Sequence, residues 1–145
     1  MNAGKTTRSF FSTRKEMAQF NEKRFSDECS ECWAFGWDWK TREKVNQILS
    51  MLQPMQGERV LDLGCGGGVY AGKVFESTGA TVFGSDIALG ATRIARQSHS
   101  NQLNWVNAFG DKLPFKDESL DKVYAIEVFE HVPAPEKIIA EICRV

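Results

Sequence analysis

Hydrophobic positions follow two different patterns along the chain, and the change between them lies near residue 57. Before it, Thr13 with Glu16 has the spacing of a capping box, which predicts a helix from about residue 13. A second predicted helix starts at a Thr41 cap and presents one apolar face at helical spacing, formed by Val45, Ile48, Leu49 and Leu52.

After residue 57, short apolar runs alternate with helical segments, which is the pattern of parallel βαβ units. The predicted strands are residues 59–63, 80–85, 103–106 and 120–126, and the predicted helices are residues 69–78, 89–98 and a last segment after Pro135. We expect that last helix to point Ile138, Ile139 and Ile142 inward. The pattern thus divides the chain into a helical and loop segment, residues 1–40, which is a candidate lid, and an α/β domain, residues 41–145.

Aromatic residues are dense just before the second predicted helix, where they fit neither helical nor strand periodicity. We interpret this segment as an ordered loop around Gly36. Its rings can cover a ligand or line an acceptor pocket, although packing beneath the loop is the favoured interpretation. The residues are Trp33, Phe35, Trp37 and Trp39.

The stretch V-L-D-L-G-C-G-G-G, residues 60–68, joins a predicted buried strand to a helix through four glycines. Glycines allow a left-handed backbone and let a ligand approach the main chain and the helix N-terminus closely. Open parallel sheets bind ligands at the carboxyl ends of their strands. The sequence therefore predicts a nucleotide-like ligand at this turn.

Two classes of nucleotide fit the glycine turn. Gly66, Gly68 and Ala71 match the loose dinucleotide pattern G-x-G-x-x-A, with Asp86 about twenty residues on as an acceptor for ribose hydroxyls. Asp62, just before the turn, would repel a pyrophosphate but favours the ammonium and sulfonium of S-adenosylmethionine, directly or through a water. Asp86 suits either ligand, and it can also serve as a helix N-cap.

With these residues in place, the chain resembles the class I S-adenosylmethionine-dependent methyltransferases, in particular the group that acts on small molecules. The stretches L-P-F-K-D-E-S-L-D, residues 113–121, and E-V-F-E-H-V-P, residues 127–133, carry the resemblance further. It implies a Rossmann-like α/β fold with a mostly parallel sheet and helices on both faces. Only the first four of the family's seven strands are found here, so strand four would have an open edge, covered by more of a longer enzyme or by a second copy in a homo-oligomer.

The resemblance also implies roles for individual residues. Asp62 would lie near the methionine amino group, and Asp86 would hold the ribose. Asn107 takes the place of an acid that accepts from the adenine amino group, with the Ala108 amide facing the ring, and Phe109 and Asp111 are alternatives in other alignments of this stretch. The expected cofactor site as a whole comprises Asp62, Gly64, Cys65, Gly66, Gly68, Asp86, Ile87, Asn107, Ala108 and Glu127.

The implied reaction is in-line displacement of the sulfonium methyl by a nucleophile on the acceptor. Positioning alone can drive it, and a general base helps only where the acceptor must lose a proton. Glu127, Glu130 and His131 follow strand four and are the candidate bases. For His131 a packing role at the start of the next helix is an equal alternative.

Charge and composition narrow the partners. A net charge of −1 gives no positive field for nucleic acid, and no apolar run reaches the roughly 18 residues of a membrane span. We therefore expect a cytoplasmic protein with a small-molecule acceptor, although the basic, Ser- and Thr-rich start also fits an organelle presequence. Cys29 and Cys32 lack a second ligand pair, so no metal is expected. A nicotinamide-dependent oxidoreductase and a non-catalytic binding or assembly module remain the alternatives.

Overall fold

The computed structural model describes residues 11–25, 39–99 and 102–145. Cys29, Cys32, Trp33, Phe35 and Trp37 lie outside them. The helices are α1 (Arg14–Arg24), α2 (Trp39–Leu52), α3 (Val69–Thr78), α4 (Leu89–Ser98) and α5 (Pro135–Arg144), with a 3₁₀ turn at Phe129–His131. The strands are β1 (Arg59–Leu63), β2 (Thr81–Asp86), β3 (Asn104–Asn107) and β4 (Lys122–Ala125).

The four strands form one parallel sheet in the order β3-β2-β1-β4. β1 is central, with Leu61 opposite Phe83 on one side and Val123 on the other. After β3 the chain crosses to the far side of β1, which makes the carboxyl ends of β1, β2 and β4 a topological switch point. Parallel α/β sheets generally bind ligands in the crevice at such a point.

Each face of the sheet is covered by its own hydrophobic cluster, because side chains alternate along a strand. Val60 joins the cluster that α2, α3 and α4 cover, together with Val74 and Val82. Leu61 joins the opposite cluster, where Met17 of α1 and Ile138 of α5 pack. The expected α/β fold with helices on both faces is confirmed.

Most predicted elements are present, with local corrections. The predicted capping box forms, since Thr13 accepts from the Glu16 amide and Glu16 from the Thr13 amide. Thr41 does not cap α2, which starts two residues earlier and buries it. Ile138 faces inward as expected, but Ile139 is 52% exposed, because one helical step turns it away from the sheet.

The last predicted strand is shorter than expected at its start. Residues 118–120 instead bind the end of α5: the Glu118 amide donates to the Arg144 carbonyl, and the Ser119 and Leu120 amides donate to the Val145 carbonyl. The Arg144 guanidinium fixes the same loop by donating to the carbonyls of Leu113 and Phe115. No helix in the described ranges is long and apolar enough to cross a membrane.

Candidate functional site

A cavity of about 360 Å³ lies at the carboxyl ends of β1, β2 and β4. This volume is within the usual range for small-ligand sites. The glycine turn and the end of β2 form its floor, the segment after β4 forms one wall, and helices α1 and α2 contribute another. Of the predicted cofactor residues, its lining contains Gly64, Cys65, Gly66, Asp86, Ile87, Ala108 and Glu127.

The glycines of the turn serve two different purposes. Gly64, Gly66 and Gly68 all have positive φ, of 79°, 51° and 82°. A Cβ on Gly64 would lie 2.4 Å from Val128 Cγ2, and one on Gly68 would lie 2.4 Å from Trp105 Cη2. Packing therefore demands glycine at these two positions, independently of the ligand approach that the sequence predicts for the motif. Gly66 differs because its open side faces the cavity.

Gly66→Ala should weaken binding of a ligand in the cavity about tenfold. The new methyl would contact Phe25 at an ordinary 3.5 Å, but both residues line the cavity, so the methyl would take space needed for close approach to the backbone. Gly57→Ala is the control, because Gly57 also has positive φ, 90°, but has open space around it. Calorimetric titration of both variants checks this, and equal losses of affinity would show that backbone strain alone is responsible.

Asp86 ends β2 and reaches the cavity while supporting the glycine turn. Its Oδ2 accepts from the Gly66 amide and its Oδ1 from the Ala88 amide, both at 2.9 Å. Burial raises the pKa of the Asp86 carboxyl, and these amides oppose the increase. The N-cap of α4 is Ala88, so the alternative of Asp86 as N-cap is wrong. The Leu89 and Gly90 amides of α4 instead donate to Glu22 of α1.

Asp62 lies beneath the turn and does not line the cavity in this structure. Strand alternation places it on the same face as Val60, toward α3, and its exposure is 1%. Its neighbours across the sheet are Gly84 and Tyr124. In this structure the Asp62 carboxylate therefore does not reach the cavity, where it was predicted to contact the ligand ammonium. It lies just below the glycine turn.

The Asp62 carboxyl has an unusual electrostatic environment. Its pKa is raised to about 7, mainly by burial and also by the nearby Asp86 charge, while the Tyr124 hydroxyl and the Ala71 amide act in the opposite direction. Neither Asp62 Oδ2 nor the Tyr124 hydroxyl has a hydrogen bond of good geometry. The hydroxyl lowers the Asp62 pKa because the two side chains are neighbours across β1 and β4. The adjacent Cys65 thiol is also buried, and its pKa is raised well above the usual value.

The segment after β3 agrees only in part with the expected adenine contacts. The Asn107 side-chain amide donates to the carbonyls of Asp86, at 3.0 Å, and Ile87, at 2.9 Å, which leaves its oxygen as an acceptor. The Ala108 amide donates to the Asp86 carbonyl and extends the β2–β3 ladder, so it does not face a ligand ring as expected. Asp111 pairs with Arg14, whose guanidinium also lies over the Phe109 ring.

Glu127 and His131 line the opposite end of the cavity, after β4, whereas Glu130 is exposed and lies outside the lining. Glu127 has φ of 55°, a strained conformation for a residue with a side chain. It forms an ion pair with Lys44 of α2, which lowers the pKa of Glu127 and raises that of Lys44. A carboxylate with a lowered pKa is a weak base, so Glu127 suits charge stabilisation better than proton removal.

Apart from the interpretation of residues 1–40 as a candidate lid, no sequence motif indicates that α1 and α2 line the cavity. Their lining residues are Met17, Asn21, Arg24, Phe25, Lys40, Thr41 and Lys44, and Tyr70 of α3 joins them. These contacts depend on packing between distant parts of the chain, and no local motif reports them. Within the described ranges, no cluster of His, Cys, Asp and Glu has an arrangement that could hold a metal ion.

Comparisons with known proteins identify the family. The sequence model of the methyltransferase domain matches residues 61–145. The methyltransferase GfsG of Streptomyces halstedii is 32% identical over 106 residues, covering 70% of this chain and 38% of that protein. A ubiquinone biosynthesis O-methyltransferase of Paracidovorax citrulli is 31% identical over 134 residues, covering 83% and 54%. The chain thus spans about half the length of the curated relatives it matches.

A solved structure extends the likeness to the fold. The magnesium protoporphyrin IX methyltransferase of Synechocystis PCC 6803, determined with bound S-adenosylmethionine, superposes with a TM-score of 0.67 at 19% identity, covering 98% of this chain and 73% of that one. The region that the family model matches, residues 61–145, contains the glycine turn and every strand of the sheet except the start of β1. The chain belongs to the class I S-adenosylmethionine-dependent methyltransferases.

Proposed function

We propose that this chain binds S-adenosylmethionine and forms the cofactor-binding part of an enzyme that methylates a small molecule. The observation that carries the proposal is the coincidence of the family match, residues 61–145, with a cavity at the switch point of the sheet. Nothing in the comparisons supports the oxidoreductase alternative.

The residues that line the cavity include groups that suit such a cofactor. Gly66 leaves a space that a Cβ would fill, next to the ends of β1 and β2. The Asp86 carboxylate lines the cavity and has lone pairs beyond the two that its backbone amides occupy, so it can accept from vicinal ribose hydroxyls. Asn107 is exposed and lies outside the cavity lining, next to Ala108, so its side-chain oxygen would accept from the adenine amino group only if the ring extends past that edge of the cavity. These contacts would hold the adenosine half at the β2 end.

The methyl donor half would then extend toward the segment after β4. When bound, S-adenosylmethionine supplies an electrophilic methyl group on a positive sulfur. Glu127, held ionised by Lys44, would place a negative charge near that sulfur, and the buried Asp62 would add a weaker field through the turn. His131 is then the candidate base for an acceptor that must lose a proton, since it lines the same end of the cavity.

The acceptor class follows from the relatives only as a proposal. Proteins that match this chain include ubiquinone biosynthesis O-methyltransferases and a sterol 24-C-methyltransferase, so small organic acceptors are favoured. We propose a cytoplasmic location and no nucleic-acid partner, in keeping with the net charge of −1. Within the described residues β4 pairs on one side only, so a further strand, from the same protein or from a second copy, would complete that edge.

Parallel calorimetric titrations with S-adenosylmethionine, S-adenosylhomocysteine and NAD test the proposal. We expect micromolar affinity for the first two and no measurable heat with NAD. Binding of NAD without binding of the sulfonium ligand would instead support a dinucleotide enzyme. Failure of all three ligands to bind would favour the assembly-module alternative.

Glu127→Gln should distinguish the sulfonium from the thioether. Removing this charge should weaken S-adenosylmethionine binding about threefold to tenfold, a modest effect because the side chain is 67% exposed and solvent screens it. S-adenosylhomocysteine, whose sulfur is neutral, should lose less than twofold. Glu130→Gln removes the same charge outside the cavity lining and should change neither affinity. Equal losses for both ligands would remove Glu127 from the proposed sulfur contact.

A further inference from the structure

Helix α1 covers one end of the cavity, although it precedes the sheet by more than thirty residues. It lines the cavity with Met17, Asn21 and Arg24, and Phe25 follows at its end. Met17 is the only residue of α1 that is fully buried. Phe11, just before the helix, is buried in the same cluster, so apolar burial holds α1 at Phe11 and Met17 and polar contacts hold both of its ends.

At its start, α1 is tied to the segment that follows β3. The Arg14 guanidinium pairs with Asp111 and lies 5.1 Å from the centre of the Phe109 ring. Asp111 is only 14% exposed at its side chain, so this ion pair is partly shielded from solvent. The segment after β3 is also where the proposed adenine contact, Asn107, lies.

At its other end, α1 is tied to α4 by Glu22. Glu22 Oε2 accepts from the Leu89 amide at 2.8 Å, and Oε1 accepts from the Gly90 amide at 3.2 Å. These amides form the first turn of α4, whose own N-cap residue, Ala88, offers no side-chain acceptor. A carboxylate at a helix N-terminus satisfies free amides and complements the helix dipole. Glu22 therefore caps a helix that lies 67 positions away in the sequence.

The contact around Phe25 completes this end of α1. The Phe25 carbonyl would lie 2.4 Å from a Cβ on Gly90, so only glycine at position 90 permits the approach. The Phe25 ring faces Gly66 at 3.5 Å from that residue's Cβ position. α4 begins three residues after Asp86, the last residue of β2, so Glu22 links α1 to the strand end that would hold the ribose.

We propose that Glu22 is a positioning residue that latches α1 over the adenosine end of the cavity, so that the latch limits how fast cofactor enters and leaves. This inference rests on the proposed function. α1 lines the adenosine end of the cavity, apolar burial at Phe11 and Met17 holds its first half, and polar contacts secure both of its ends. Releasing either end should let the helix move away without disturbing the sheet.

Binding kinetics of S-adenosylhomocysteine test the latch. In stopped-flow experiments on the whole chain, Glu22→Ala should raise the dissociation rate constant about tenfold and the association rate constant about threefold. Because both rate constants rise, Kd should rise only about threefold. Glu22→Gln, which keeps an amide acceptor, should have a smaller effect. A purely structural defect would raise dissociation and leave association unchanged or slower. Glu43→Gln, on the exposed face of α2, is the matched control.

Hydrogen exchange without ligand separates this inference from the proposed function. In Glu22→Ala, amides of α1 and of the first turn of α4 should exchange at least tenfold faster, while those of β1 should not change. Arg14→Ala releases the other end and should accelerate α1 alone, which keeps the test open if Glu22→Ala folds poorly. Unchanged exchange in both variants, or unchanged rates with normal ligand affinity, would overturn the latch. Failure to bind any cofactor, with accelerated exchange, would overturn only the proposed function.

Discussion

Asp86→Asn should reduce S-adenosylmethionine affinity at least about a hundredfold. The carboxylate can accept from both ribose hydroxyls while it holds the amides of Gly66 and Ala88. An amide in its place has one acceptor oxygen and directs an NH₂ group at another donor. Losing hydrogen bonds to a charged group costs about 1.5–3 kcal/mol each, and two such losses reach the stated factor. Calorimetric titration of the folded variant measures the effect.

Asp121→Asn is the matched control for this result. Asp121 also accepts a hydrogen bond from a backbone amide, that of Arg59 at 2.7 Å, but it lies just before β4 and outside the cavity lining. We expect its affinity to stay within twofold of the unmodified chain. Circular dichroism should confirm that both variants are folded. If Asp86→Asn binds as well as Asp121→Asn, the ribose assignment is wrong.

Asp62→Asn should change how stability depends on pH. The folded-state pKa of Asp62 is about 7 against a usual value of 3.8, so the native chain binds an extra proton between these values. The stabilisation from the protonated carboxyl is complete below about pH 4 and is lost as pH rises through about 7. The difference between the two pKa values corresponds to a loss of at most about 4 kcal/mol in the free energy of unfolding as the pH rises. Asp62→Asn has no such carboxyl and would not show this loss.

Urea unfolding of both proteins at pH 5 and pH 8 measures this effect. Between pH 5 and pH 8, we expect the unmodified chain to lose a substantial part of that limit in its free energy of unfolding. Asp62→Asn should not lose it, so the variant becomes more stable relative to the unmodified chain as the pH rises. Asp86 also has a raised pKa, but it is present in both proteins and largely cancels in the comparison. Parallel pH profiles for the two proteins would mean that Asp62 is ionised throughout the range.

Local patterns were sufficient to predict the elements and their parallel βαβ succession, and the resemblance to the family supplied the arrangement of helices on both faces of the sheet. The bounds of α3 and α4 agree with the prediction because apolar spacing, Gly79 and the flanking turns mark them. β1 also has its predicted bounds, whereas the bounds of the other three strands differ from the prediction by one or two residues, since strand ends depend on hydrogen bonds to other parts of the chain. The position of Asp62 was also within reach, because alternation in V-L-D-L assigns it to the face of Val60.

Contacts between distant segments were beyond local patterns. Glu22 and Lys44 occupy ordinary helix positions, and nothing beside them in sequence indicates that one caps α4 and the other pairs with Glu127. The use of the Ala108 amide in the β2–β3 ladder likewise depends on strand register. The glycine turn and the strand ends thus located the cavity floor, whereas the wall formed by α1 and α2 was indicated only in general terms, by the candidate lid of residues 1–40.

The central place of β1 has a consequence for how the chain folds. Arg59 of β1 pairs with Thr81, 22 positions later, whereas Val60 pairs with Lys122, 62 positions later. Closing the longer loop costs about 1 kcal/mol more chain entropy, so β1 and β2 with α3 between them form the more accessible nucleus. β4 would then dock last and complete the ligand crevice only when the rest of the sheet is in place.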